Sequence, residues 1–252
     1  MDLWKKILVP VNFSNASRHA AEFAVRFAAA VGAEVELLHV YTDAVPATVG
    51  PEPWKVTVSG KREEKDGKML EEIDFLSRRY NTLVKGQVRV GFKGNTIRKI
   101  LKDEAFDLTI VGLKQGSNIT GNTLSRIIRR AHKPVLVIPE DSPLVDLKHI
   151  VLALEFSYLS NYACFDPLFE IVQSQNASLD VIHVEGRGAD GSEGQVSAKL
   201  DIGRMLSKVS YQYVTLENDD TGLAVLQYTQ NHPTDLRVMV ARHHPFVWRY
   251  FW

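Results

Sequence analysis

The chain has 252 residues, 45% of them apolar and 24% charged, with 30 basic and 30 acidic side chains and no formal net charge. That composition supplies material for one large or two small hydrophobic cores, and it excludes a global electrostatic drive toward nucleic acid or an anionic membrane. The single cysteine, Cys164, excludes an intramolecular disulfide framework and any multi-cysteine metal site, and fits a reducing compartment.

The N-terminal residues MDLWKKILVPV run straight into a strand-like segment. They lack the apolar run and small-residue cleavage site of a signal peptide. No stretch approaches the length that crosses a bilayer, so cytoplasm is the expected compartment. Ile7 to Val11 is a short apolar run of the kind buried on both faces of a parallel sheet. From Asn15 to Val31 apolar residues recur at helical spacing, with Ser14 or Asn15 as N-cap and Gly32 as terminator. A second strand is predicted over Val35 to Val40. Prolines 46, 51 and 53 make residues 42 to 59 a long loop. An amphipathic helix follows from Arg62 to Arg79, with Met69, Leu70, Ile73 and Leu76 expected to face inward.

A third strand (Val84 to Val90), a helix after Asn95, a fourth strand (Leu108 to Val111), a helix through Leu124 to Ala131 and a strand from Pro134 to Ile138 complete the unit. Alternating strands and helices imply right-handed crossovers and a parallel sheet with helices on both faces. The stretch PEDSPLVDLK, Pro139 to Lys148, reads as an interdomain connection.

The pattern then repeats. KILVPVNFSNAS from Lys6 aligns with HIVLALEFSYLS from His149, so that Phe13-Ser14 matches Phe156-Ser157. GAEVELLHV (Gly32 to Val40) aligns with NASLDVIHV (Asn176 to Val184), and DLTIVGLK (Asp107 to Lys114) with DLRVMVAR (Asp235 to Arg242). Three matches in one order indicate duplication. The expected organisation is a first domain over residues 1–140, a linker over 141–148 and a second domain over 149–252 that lacks its last helix and strand. Truncation of the sequence, or a partner chain that supplies the missing strand, would account for that ending. The apolar tail from Phe246 to Trp252 would otherwise meet water.

In an open parallel sheet ligands bind beyond the carboxyl ends of the strands, where strand order reverses. If the first strand lies between the second and the fourth, Pro10, Val11 and Asn12 line that crevice, with Val40 and Gly112 across from them. Gly112, Gly116 and Gly121 precede a helix opened by Asn122 and Thr123. Glycines permit close backbone approach to a polyphosphate, a helix N-terminus favours phosphate, and Thr123 adds a hydroxyl donor. The alternative is that these glycines serve turns and helix entry.

These stretches, together with GNTIRKILKDEAFDLTIVG and GNTLSRIIRRAHKPVLVIP, resemble the universal stress protein family in tandem form. The resemblance implies a Rossmann-like five-stranded parallel sheet of order 3-2-1-4-5 in each copy, dimerised through the last strand, with tandem copies imitating that dimer. It implies ATP binding in members that carry G-x2-G-x9-G-(S/T), while others lack the motif. On this chain Gly121 matches the last glycine and Asn122 stands where Ser or Thr belongs. Gly112 matches the first glycine, and the second is displaced to Gly116, which shortens the loop. Asn12 replaces the Asp that helps hold the nucleoside. In the second copy Glu155 takes that place, Ala241 replaces the strand-end glycine and no glycine follows.

Other candidates carry less chemistry. His243 and His244 are adjacent on one loop and point apart. His39 and His183 recur at matching strand positions, which suggests a packed, hydrogen-bonded role or a pH sensor. Arg126, Arg129, Arg130, His132 and Lys133 read as the solvated face of a helix whose Leu124, Ile127 and Ile128 face inward. Asp166-Pro167 starts or kinks a helix. Two functions follow, and a third, a nucleotide-dependent transferase, rests on fold analogy alone, with no set of acid, base or metal ligands to carry it. One is a non-enzymatic stress-response scaffold whose copies form a pseudo-dimer, self-associating or meeting protein partners. The other is an ATP-binding regulator using the first crevice, with slow hydrolysis.

Overall fold

The computed structural model describes residues 4–42, 58–103, 106–117, 123–154, 165–186, 203 and 206–239. The chain divides into two compact units, Met1–Pro143 and Leu144–Trp252.

In the first unit β1 (Lys6–Pro10), β2 (Glu34–Tyr41), β3 (Val84–Val90), β4 (Leu108–Leu113) and β5 (Val135–Pro139) form a parallel sheet of order β3-β2-β1-β4-β5. Ile7, Leu8 and Val9 are wholly buried, as a central strand covered on both faces requires. The helices are α1 (Asn15–Val31), α2 (Val58–Tyr80), α3 (Lys93–Asp103) and α4 (Thr123–Arg130). α1 packs on β1 and β4, α2 on β3 and α1, and α3 on α4. Ser14 caps α1, and Gly32 ends it in the left-handed region at φ 73°, where a residue without Cβ is unstrained.

One expected core position is overturned. Met69 and Leu76 are buried and Ile73 is partly so, but Leu70 is 66% exposed. The buried stripe of α2 runs through Met69, Glu72 and Leu76, with Met69 and Ile73 against Gly86 of β3 and Glu72 toward α1, and Leu70 is turned about 100° away from Met69. Glu72 is buried in its stead, at 4% exposure, and its Oε2 accepts from Arg18 Nε at 2.9 Å. An apolar count along the helix passes over a buried carboxylate paired across to α1.

The second unit has β6 (His149–Leu154), α5 (Asp166–Gln175), β7 (Ser178–Glu185), a 3-10 turn (Leu206–Lys208), β8 (Tyr211–Glu217), α6 (Thr221–Asn231) and β9 (Leu236–Met239). Among the described residues its parallel sheet has four strands, in the order β8-β7-β6-β9. Pro167 lies in the first turn of α5, so Asp166-Pro167 begins the helix and does not kink it.

The duplication read from sequence recurs as repeated bonds. Asp107 Oδ2 accepts from the backbone N–H groups of Lys5 and Lys6 at 2.9 and 3.0 Å, and Asp235 Oδ2 accepts from Lys148 and His149 at 2.9 and 2.8 Å. Asn176, aligned with Gly32, ends α5 at φ 47°. Ala33 N–H donates to Ala28 O at 3.0 Å, and Ala177 N–H to Val172 O at 2.9 Å.

Candidate functional site

The strand order places β1 between β2 and β4, so the first unit's switch point lies where β1 gives way to α1. Val11 N–H continues the ladder to Leu38 O at 2.8 Å. Its carbonyl then leaves the ladder and accepts from His39 Nδ1, also at 2.8 Å. Phe13 follows with φ 63°, a left-handed conformation that costs a non-glycine residue about 1–2 kcal/mol. Its ring lies 4.5 Å from the His39 ring, and Tyr41 stacks on the other end of the set at 6.3 Å. Burial of that aromatic set offsets the backbone cost.

Asn12 is exposed, whereas Val11 and Val40 are buried at 6% and 4%. Asn12 Oδ1 accepts from Ser14 N–H at 3.1 Å and from Ser14 Oγ at 2.6 Å. Ser14 Oγ in turn accepts from Ser17 N–H at 3.4 Å. Ser17 Oγ accepts from Asn12 N–H at 3.3 Å and donates to Ser14 O at 3.0 Å. The carboxamide oxygen is therefore committed to Ser14, the residue that caps α1, and what Asn12 offers a ligand is an N–H donor. A carboxylate would offer two acceptor oxygens there.

Gly112 lies in β4, opposite Ile138 of β5. A Cβ on it would stand 2.1 Å from Ala16 O and 2.9 Å from Ser17 N. The missing side chain thus lets the first turn of α1 press onto β4. Gly116 has φ 70° and no atom within 4 Å of a Cβ position. It serves the turn closed by Ser117 N–H to Lys114 O at 3.1 Å. Gln115 is held from the other side, its N–H donating to Glu140 Oε1 at 3.1 Å and its Nε2 to Asp141 Oδ2 at 3.2 Å. Two carboxylates thus border the start of the loop that was expected to wrap phosphate.

The structure brings Pro10, Val11, Asn12, Val40 and Gly112 to the carboxyl edge of one sheet. Gly121 and Asn122 lie outside the described residues, as does the side chain of Thr123, whose backbone opens α4. Glu155, Phe156, Ser157, Cys164, Ala241, His243, His244 and the Phe246–Trp252 tail also lie outside them. Sequence reasoning missed Ser17, Ala16, Glu140 and Asp141. Only Asn12 carried a legible signal, since Asn two residues before Ser is a local turn pattern.

Leu124 and Ile127 are buried and Ile128 half-buried, whereas Arg126, Arg129, His132 and Lys133 are exposed; the side chain of Arg130 lies outside the described residues. His183 Nδ1 donates to Leu154 O at 3.4 Å, the second unit's counterpart of His39 on Val11. Among the described residues no three His, Cys, Asp or Glu groups come together to hold a metal ion. No described helix is long and apolar enough to cross a membrane.

The sequence model of the Universal stress protein family matches residues 3–139. The chain belongs to this family. Membership associates it with stress response. Two universal stress proteins of Methanocaldococcus jannaschii are each 27% identical to it, over 143 and 154 residues. Each match covers 54% of this chain, and 83% and 95% of the respective relatives. A universal stress protein from Archaeoglobus fulgidus, known as a crystal structure, superposes with a TM-score of 0.67 over 93% of this chain and 86% of its own. At 14% identity that last likeness is one of fold.

Proposed function

We propose that this universal stress protein is a non-enzymatic scaffold, acting through partner contacts, with its two copies arranged as a pseudo-dimer that can pair again with a second chain. The observation that carries this reading is the use of Gly112. The glycine that a phosphate-binding loop would employ for backbone approach is occupied by the first turn of α1. The commitment of Asn12 Oδ1 to Ser14 and the carboxylates on Gln115 act in the same direction. Calorimetric titration with ATP, ADP and AMP tests it: the scaffold reading expects no saturable heat at millimolar ATP. Light scattering of the full chain would then give a defined dimer if the copies pair further, and a monomer would remove that part.

A second reading, an ATP-binding regulator in the first crevice with slow hydrolysis, is favoured by the reversal of strand order beside the exposed Asn12. Micromolar binding at one site per chain, abolished by Gly121→Val, would establish it in place of the first. Nucleic acid and membrane are not expected partners under either reading, and the expected compartment is the cytoplasm.

A further inference from the structure

The two units place a histidine at the same point and surround it differently. In the first, His39 donates Nδ1–H to Val11 O and is flanked by the rings of Phe13 and Tyr41. In the second, His183 directs Nδ1 to Leu154 O at 3.4 Å, and its Nε2 faces Glu185 Oε1 at 3.8 Å. Glu185 stands in the aligned position of Tyr41. Side-chain exposure is 10% for His183 and 18% for Glu185, so water screens the pair weakly.

A neutral imidazole has one N–H donor and one acceptor nitrogen. At His183 both nitrogens face acceptors, a carbonyl and a carboxylate, and only the doubly protonated ring answers both. We propose that His183 and Glu185 form a proton-binding switch in the second unit. As pH falls through the imidazole range, the charged ring keeps Nδ1–H on Leu154 O of β6 and adds an ion pair to Glu185 along β7. As pH rises, the tie to Glu185 is lost.

Among the described residues, the rest of the neighbourhood supports a positive charge. Thr215 of β8 lies beside His183 in register, and Glu217 lies beside Glu185, which adds a second carboxylate. Burial pushes the Tyr213 phenol up, with Thr215 opposing and the charge of Glu185 adding, so Tyr213 stays neutral across the range in question. β6 contributes the Leu154 carbonyl. The buried side of α5 is Leu168, Phe169, Ile171 and Val172, with no ionisable group. Asp180 and Arg237 belong to the opposite face by strand alternation, and α6 reaches that same face through the Tyr228–Asp180 bond. Desolvation disfavours the imidazolium and the carboxylates favour it. The sign of the balance is what the switch asserts.

His39 is the internal reference. NMR titration of both imidazoles in the full chain, from pH 8 to pH 5, reads the proposal directly. His183 is expected to protonate about one pH unit or more above His39, and Glu185→Gln to lower its midpoint by about one unit while leaving His39 in place. A midpoint for His183 at or below that of His39 in the unaltered chain overturns the switch without recourse to any variant. An unchanged midpoint in Glu185→Gln, with its amide spectrum otherwise preserved, overturns the assignment to Glu185.

Discussion

A Cβ at position 112 would press on a backbone oxygen of α1 and not on a side chain that can rotate away, at 2.1 Å. Helix or strand must therefore move. Gly112→Ala is expected to cost about 2–3 kcal/mol, as over-packing in a dense core does. Gly116→Ala meets open space and costs only the left-handed backbone penalty of about 1–2 kcal/mol. Urea denaturation of the two variants separates packing from turn geometry, and equal losses would contradict the assigned role of Gly112. A second residue-scale expectation concerns Tyr228, whose OH donates to Asp180 at 3.0 Å. Burial first, then the bond to Asp180 and its charge, push this phenol up to about 12 from an ordinary 10.0. Between those values the unfolded chain releases its proton and the folded chain keeps it, so the group's stabilising contribution is complete below about pH 10 and lost as pH rises toward 12. Tyr228→Phe should flatten stability against pH in that window. A slope unchanged in the variant would place the phenol elsewhere.

At the scale of elements, the limits of α1 were legible to the residue because its signals are local: Ser14 before it, Gly32 after it and helical spacing between. Ser14→Ala removes the cap and one partner of Asn12 together, and about 1 kcal/mol of loss is expected. The same local logic failed on Leu70 and Glu72, because the face that α2 buries is set by α1 and β3 and not by its own apolar count. Gly112 was legible as special but not as to purpose, since its neighbour Ala16 is 96 residues away along the chain. Asp107 and Asp235 hold the start of β1 and of β6 through paired N–H donors. Each should lose about 1.5 kcal/mol on replacement by Ala. Hydrogen exchange would show the effect confined to the unit that carries the change, and spreading into the other unit would deny their independence.

At the scale of the molecule, duplication was readable because a repeat compares the chain with itself. Partner identity was not, since a surface does not reveal its complement through composition. Residues 1–143 form one compact unit, and relatives of about that size are covered at 83% and 95% of their length. Expressed alone, that segment should unfold in a single cooperative step by circular dichroism, and a molten chain would show that it depends on its sequel. The five parallel strands have a mechanical consequence. β1 begins at one end of the sheet and β5 finishes at the other, so tension applied between the ends of the first unit runs along the strands. The ladder bonds of β1, β4 and β5 are then sheared together and cannot open one at a time like a zipper. A fold that heat or denaturant dismantles by modest energies should therefore resist being drawn apart by its own two ends.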